Sequence, residues 1–195
     1  MQRLAMVVGF LMGVLLLTSA QAQQYPPWWL WAEAGDGFLK LSSDQNQSHR
    51  RETLALGFAG GRQFRDRARI GVMVDGWLLQ VFNFNDPTAG ESISDIMGIV
   101  DVLPIHRKGL FLRGGVGVSI YTNDRPNETG GHGLSWLAGG GYELPLKGRL
   151  GLVPMVDYGY GGLGDARNAA VYQTGRRYSV IEVKAALIYH FGDRK

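Results

Sequence analysis

Tyr178-Ser-Val-Ile-Glu-Val-Lys-Ala-Ala-Leu-Ile-Tyr-His-Phe191 alternates over its whole length. Successive side chains of a strand point to opposite sides. Ile181, Val183, Ala185, Leu187, Tyr189 and Phe191 therefore share one face, and Val180, Glu182, Lys184, Ala186, Ile188 and His190 share the other. The first face is apolar and ends in two aromatics, while the second carries a carboxylate and an ammonium. A soluble sheet hides its apolar face against a second layer. A transmembrane barrel turns that face to lipid and keeps its charges inside.

The same pattern recurs upstream. About eight alternating segments, each long enough to cross a bilayer as a tilted strand, fall near 29–41, 51–62, 68–81, 93–103, 109–121, 133–144, 149–160 and 178–191. Leu110, Leu112, Val116, Val118 and Ile120 oppose Arg113, Gly115, Gly117, Ser119 and Tyr121. Ile70, Val72, Val74 and Leu78 oppose Arg69, Asp75 and Trp77, and Ile96, Val100 and Val102 oppose Asp95, Met97 and Asp101. Leu150, Leu152, Val156, Tyr158 and Tyr160 oppose Gly151, Met155, Asp157 and Gly159. The first segment fits least well. With Glu33 inward, Asp36 faces lipid unless Gly35-Asp-Gly37 forms a bulge. Connections at 42–50, 82–92, 122–132 and 161–177 are long and polar, whereas those at 63–67, 104–108 and 145–148 are short and carry turn residues. Long loops on one side and tight turns on the other predict an all-β, eight-stranded antiparallel up-and-down transmembrane β-barrel.

Residues 1–22 are read as a signal peptide. Arg3 supplies the positive start, Leu4 to Leu17 the apolar run, and Ala20-Gln-Ala22 a small-x-small cleavage site. Residues 23–195 then form one barrel domain. The chain has no cysteine, so neither a disulfide framework nor a lipid-modified cysteine holds it. A formal net charge of +3 is too small for a nucleic-acid argument. Mean hydropathy near zero with 29 glycines fits neither a helical membrane protein nor a disordered chain.

Aromatics cluster toward the strand ends. Trp28, Trp29, Trp31, Phe64, Tyr142, Tyr189 and Phe191 fall at the turn side, and Phe82, Phe84, Tyr121, Trp136, Tyr158, Tyr160 and Tyr178 at the loop side, as two interfacial girdles require. A soluble eight-stranded barrel also alternates, but it lines its inside with apolar residues. Here the opposite face is rich in glycine and ionisable groups. Phe111-Leu-Arg-Gly-Gly-Val-Gly-Val-Ser-Ile-Tyr121, Gly133 to Tyr142, Leu150 to Tyr158 and the final strand resemble the small outer-membrane β-barrel family of Gram-negative bacteria, the porin-like and opacity-protein type. That family's last strand carries an assembly signal. The resemblance puts it at Lys184, Ala186, Tyr189 and Phe191, with Ala186 where the family has glycine and Gly192 to Lys195 following the usual end. It implies a bacterial outer-membrane location, with outer-membrane lipids, lipopolysaccharide and the barrel assembly machinery as partners.

Inward residues Arg69, Asp75, Asp95, Asp101, Arg113, Glu143, Asp157, Glu182 and Lys184 share one lumen. Buried charges must pair, so an ion-pair network is expected, with Arg113 and Lys184 as its cationic centres. Gly114-Gly-Val-Gly117 and Gly139-Gly-Gly141 lack a following Gly-Lys-Ser/Thr and make room for large lumen side chains rather than cradling phosphate. Ser48-His49 sit in the first long loop. His132 and Ser135 lie three apart and so point to opposite faces, against a nucleophile and base pair. Histidines at 49, 106, 132 and 190 form no metal cluster. No catalytic residue, cofactor or metal site is expected. At the turn side Arg62, Arg65, Arg67, Arg107, Lys108, Lys147 and Arg149 form a basic rim offset by Asp66. At the loop side Arg50, Arg51, Arg176 and Arg177 are candidate lipopolysaccharide-phosphate contacts, since arginine suits bidentate phosphate binding. The expected role is non-enzymatic, in envelope integrity or surface interaction. A narrow porin-like channel is the alternative, and a lipid A-modifying enzyme stands third.

Overall fold

The computed structural model describes residues 26–44, 50–64, 67–78, 91–105, 109–123, 130–167 and 172–192. The predicted signal peptide, the residues Ser48, His49, Arg65, Asp66, Phe82, Phe84, His106, Arg107 and Lys108, and the side chains of Arg50 and Arg51 lie outside that set.

Nine strands occur among the described residues: β1 (Trp28–Ser42), β2 (Arg50–Phe64), β3 (Ala68–Leu78), β4 (Glu91–Val102), β5 (Leu110–Asn123), β6 (Gly131–Tyr142), β7 (Leu144–Pro145), β8 (Leu150–Arg167) and β9 (Tyr172–Phe191). Two-residue β7 continues β6 after Glu143. Pro154 of β8 lies opposite this break, and its missing N–H interrupts the ladder there. Each long strand pairs antiparallel with its sequence neighbour, β1 pairs with β9, and β6 pairs with β8. The sheet thus closes into an eight-stranded up-and-down barrel without a free edge, which is what a membrane demands of a β-structure.

The alternation decides which way each side chain points. Val180, Glu182, Lys184, Ala186, Ile188 and His190 are buried inside, while Ile181, Leu187 and Tyr189 stand on the outer wall. Val72, Leu112, Val116 and Leu134 continue that wall, with Val116 71% and Leu134 83% exposed. A contiguous apolar surface of this extent is not tolerated in water and fits a hydrocarbon surround.

Three expectations change. The β1–β2 register runs unbroken through Gly35–Ala55, Asp36–Leu54 and Gly37–Thr53, so Gly35-Asp-Gly37 is not a bulge. Asp36 stands exposed on the outer wall, four residues short of the last pair, Lys40–Arg50. Trp29 and Trp31, expected in the turn-side girdle, are buried in the lumen, as are Tyr121 and Tyr178 from the loop-side set. Adjacent residues on a strand cannot share a face, so Trp28 takes the wall and Trp29 the interior. Residues 161–177, expected as a loop, are largely ladder: β8 and β9 stay paired from Gly161–Tyr178 out to Arg167–Tyr172. Register shifts around Gly164, whose φ is 66°, absorb the irregularity.

Candidate functional site

The interior is the chemically loaded part of the molecule. All nine expected lumen residues are buried there, together with Glu33 and His190. Toward the turn side they form a chain. Arg113 donates from Nε to Asp101 Oδ1 at 2.7 Å and from Nη2 to Asp101 Oδ2 at 3.2 Å. Asp101 Oδ2 also meets Arg69 Nε at 3.2 Å. Arg69 Nη1 donates to Glu143 Oε2 at 2.7 Å, and His190 Nε2 lies 2.8 Å from Glu143 Oε1. The arginines are also stacked on rings. The Arg113 guanidinium carbon is 3.9 Å from the centre of Trp31, and that of Arg69 is 4.9 Å from Phe111. Desolvated cation–aromatic contacts of this kind add to the ion pairs.

Toward the loop side Lys184 is the hub. Its Nζ lies 2.7 Å from Glu33 Oε1, 2.7 Å from Asp75 Oδ2, 3.0 Å from Glu182 Oε2 and 3.3 Å from Asp157 Oδ2. Three ammonium hydrogens are shared among four carboxylates. Arg113 Nη1 comes within 4.0 Å of both Glu33 and Asp157, which joins the two groups. Trp77 Nε1 donates to Glu182. Gly57 leaves the space this packing needs, since a Cβ there would sit 2.8 Å from Glu33 Oε1. Asp95 is solved differently. Its partner is the Tyr178 hydroxyl, which lies 3.1 Å from Ser119 Oγ, rather than a cation.

Two apolar layers bracket the charges. Trp29, Trp31, Met73, Met97, Phe111 and Ile188 belong to the turn-side cluster. Leu39, Trp77, Ile93, Tyr121, Leu163 and Tyr178 belong to the loop-side cluster. Trp29, Leu39, Ile93 and Leu163 are all 0% exposed.

The remaining expected residues are distributed by the same parity. Lys184 and Ala186 face inward, while Tyr189 and Phe191 lie on the opposite face with ring centres 6.3 Å apart and nearly parallel. Arg177 is exposed, but Arg176 turns the other way, its guanidinium 4.1 Å from the Tyr121 ring. The strands carrying Arg50-Arg51 and Arg176-Arg177 flank β1 from opposite sides, through the pairs Lys40–Arg50 and Ser42–Arg177. His132 is exposed and Ser135 buried, on opposite faces of β6. Glu33 is the member of the Lys184 cluster missing from the expected set, although its parity with Trp29 and Trp31 is an available signal. Tyr178 as the partner of Asp95 has no such signal, because register across the barrel is not written in either strand alone.

No protein-family model matches the chain, and no curated protein matches it. Solved structures do. Neisserial surface protein A is 15% identical, with 87% of this chain and 100% of that chain covered and a TM-score of 0.54. Ail, the attachment invasion locus protein of Yersinia pestis, in complex with the heparin analogue sucrose octasulfate, is 10% identical, with 84% and 99% covered and a TM-score of 0.58. A major outer membrane protein from Thermus thermophilus is 13% identical, with 84% and 99% covered and a TM-score of 0.50. At these identities the likeness is one of architecture: the fold is that of the small outer-membrane β-barrels, and the apolar outer wall suits it to that membrane.

Proposed function

We propose that this is a non-enzymatic outer-membrane protein whose closed barrel anchors a surface-exposed loop side, serving envelope integrity or surface contact. The filled interior carries this reading. An eight-stranded barrel is just wide enough for its own side chains. Here a permeating ion would have to displace Leu39, Ile93 and Leu163 and then break the pairs around Lys184. The opposed faces of His132 and Ser135 also favour a role without nucleophilic catalysis. Ail, a protein of the same architecture, is seen with a heparin analogue, which offers a precedent for surface contact and assigns no ligand to this chain. In planar bilayers the purified protein is expected to give no stable channel. Resolved conductance steps that scale with protein added would overturn the closed-lumen reading in favour of a narrow channel.

Lipopolysaccharide and the assembly machinery, the latter reading Tyr189 and Phe191, are the partners this role needs. Arg177, exposed near the loop end of β9, supports a lipid-phosphate contact on this side. Its replacement by alanine is expected to lower the lipid A that copurifies with the barrel, and unchanged retention removes Arg177 from that contact.

A further inference from the structure

We propose that the outer wall holds one glycerophospholipid on the turn side, with an acyl chain in a groove over β1, β2, β3 and β9 and its phosphate on Arg62. The groove has a volume of about 480 Å³ and is walled by Leu30, Phe58, Val72, Leu187 and Tyr189. The depression is shallow and open to the surround, as a site for one acyl chain lying along the wall would be.

The ladder explains why a groove exists at this place in the apolar wall. Gly60 stands between Leu30 and Val72, and Ala32 between Leu187 and Phe58. Leu30 leans into the space over Gly60, its Cδ2 2.5 Å from where a Cβ there would sit, so the groove opens at Ala32. At the turn-side mouth, next on the same face of β2 after Gly60, is Arg62, flanked in the ladder by Trp28 and Ile70. Its guanidinium carbon is 5.7 Å from the Trp28 ring centre and 5.5 Å from that of Phe64. Among the described residues Arg62 makes no ion pair, so its donors are open to a ligand. Aromatic rings on the outer wall mark the headgroup level. A guanidinium held beside them presents a fork that matches a phosphate bidentately.

The turn side of such a barrel faces the periplasm, so the leaflet within reach supplies glycerophospholipid rather than lipopolysaccharide. A second copy of this chain is the less suitable occupant. In a two-fold pair about the membrane normal with its axis through this groove, residues of equal height meet, and the two Arg62 cations would share one level close to the axis.

Native mass spectrometry of the full barrel with palmitoyl-oleoyl phosphatidylglycerol tests this. One lipid should be retained per barrel. Arg62→Gln should weaken retention at least about tenfold, as expected for a lost charge-assisted contact. Ala32→Phe, which fills the groove, should do the same, while Val118→Phe on β5 should leave retention unchanged. Heat-modifiable gel migration confirms that each variant is folded. Retention unaffected by both Arg62→Gln and Ala32→Phe overturns the proposal, as does a dimer that Ala32→Phe dissociates.

Discussion

Replacing Lys184 with methionine is expected to cost about 3–5 kcal/mol of folding free energy, the range for removing one partner from a buried ionic cluster. Methionine keeps the apolar stem and removes the ammonium. Glu33, Asp75, Asp157 and Glu182 would then converge on an uncharged atom, with Arg113 as the remaining nearby cation at 4.0 Å from Glu33 and Asp157. The loss is a large share of the about 5–15 kcal/mol that stabilises a typical domain. The urea midpoint for folding into lipid vesicles should fall sharply, and the unheated gel should show little folded band. Adding Glu33→Gln and Asp75→Asn to Lys184→Met should restore part of the stability, because the uncompensated charge rather than the missing contact dominates the cost. An unchanged midpoint for Lys184→Met alone would show that the cluster does not hold the barrel together.

The same cluster shows what the sequence could and could not reveal. Parity alone sends Glu182 and Lys184 inward, because Ile181 to Phe191 leaves a single apolar face. Parity also sends Asp75, Asp101, Arg113 and Asp157 inward, and these positions are occupied as expected. Strand period is thus legible without any partner in view. What parity cannot supply is height across the barrel. That Lys184 reaches Asp75, 109 positions earlier in the chain, depends on registers summed over several ladders. Two kinds of misreading follow. Nearness to the turn groups Trp29 and Trp31 with Trp28, although strict alternation separates Trp29 from Trp28. Residues 161–177 carry glycine, aspartate and asparagine, the composition of a loop, yet the backbone continues the β8–β9 ladder. Gly164 and Gly175 there have φ of 66° and 62°, so glycine supplies local adjustments within a hairpin rather than ending it.

Placing an arginine at Val116 separates a membrane barrel from a water-soluble one by the size of a single effect. Val116 stands at the middle of β5 on the outer wall, paired with Gly98 on one side and on the other with Trp136, which lies mid-strand in β6 rather than at the loop-side end where the sequence put it. At 71% exposure, it has few protein neighbours to lose. In water such a substitution falls within about 0.5 kcal/mol of neutral. Facing hydrocarbon at the midplane, it costs about 2–4 kcal/mol, and the cost falls to about 0–1 kcal/mol near an interface. Val116→Arg should therefore lower the stability of the vesicle-embedded protein by the larger amount, read as a shift in the urea unfolding midpoint, and Ile120→Arg toward the loop side should do so by less. The gradient matters more than either value. Loss of packing would depend on which neighbours each side chain touches, whereas transfer into hydrocarbon depends on depth. Equal costs at Val116 and Ile120, or none at either, would mean that the apolar wall of Val72, Leu112, Val116 and Leu134 does not face lipid. The inward placement of Glu33, Lys184 and Arg113 would then lose its physical reason, since at mid-height the outside offers a charge no water, while the outward charges Asp36 and Arg62 lie toward the strand ends.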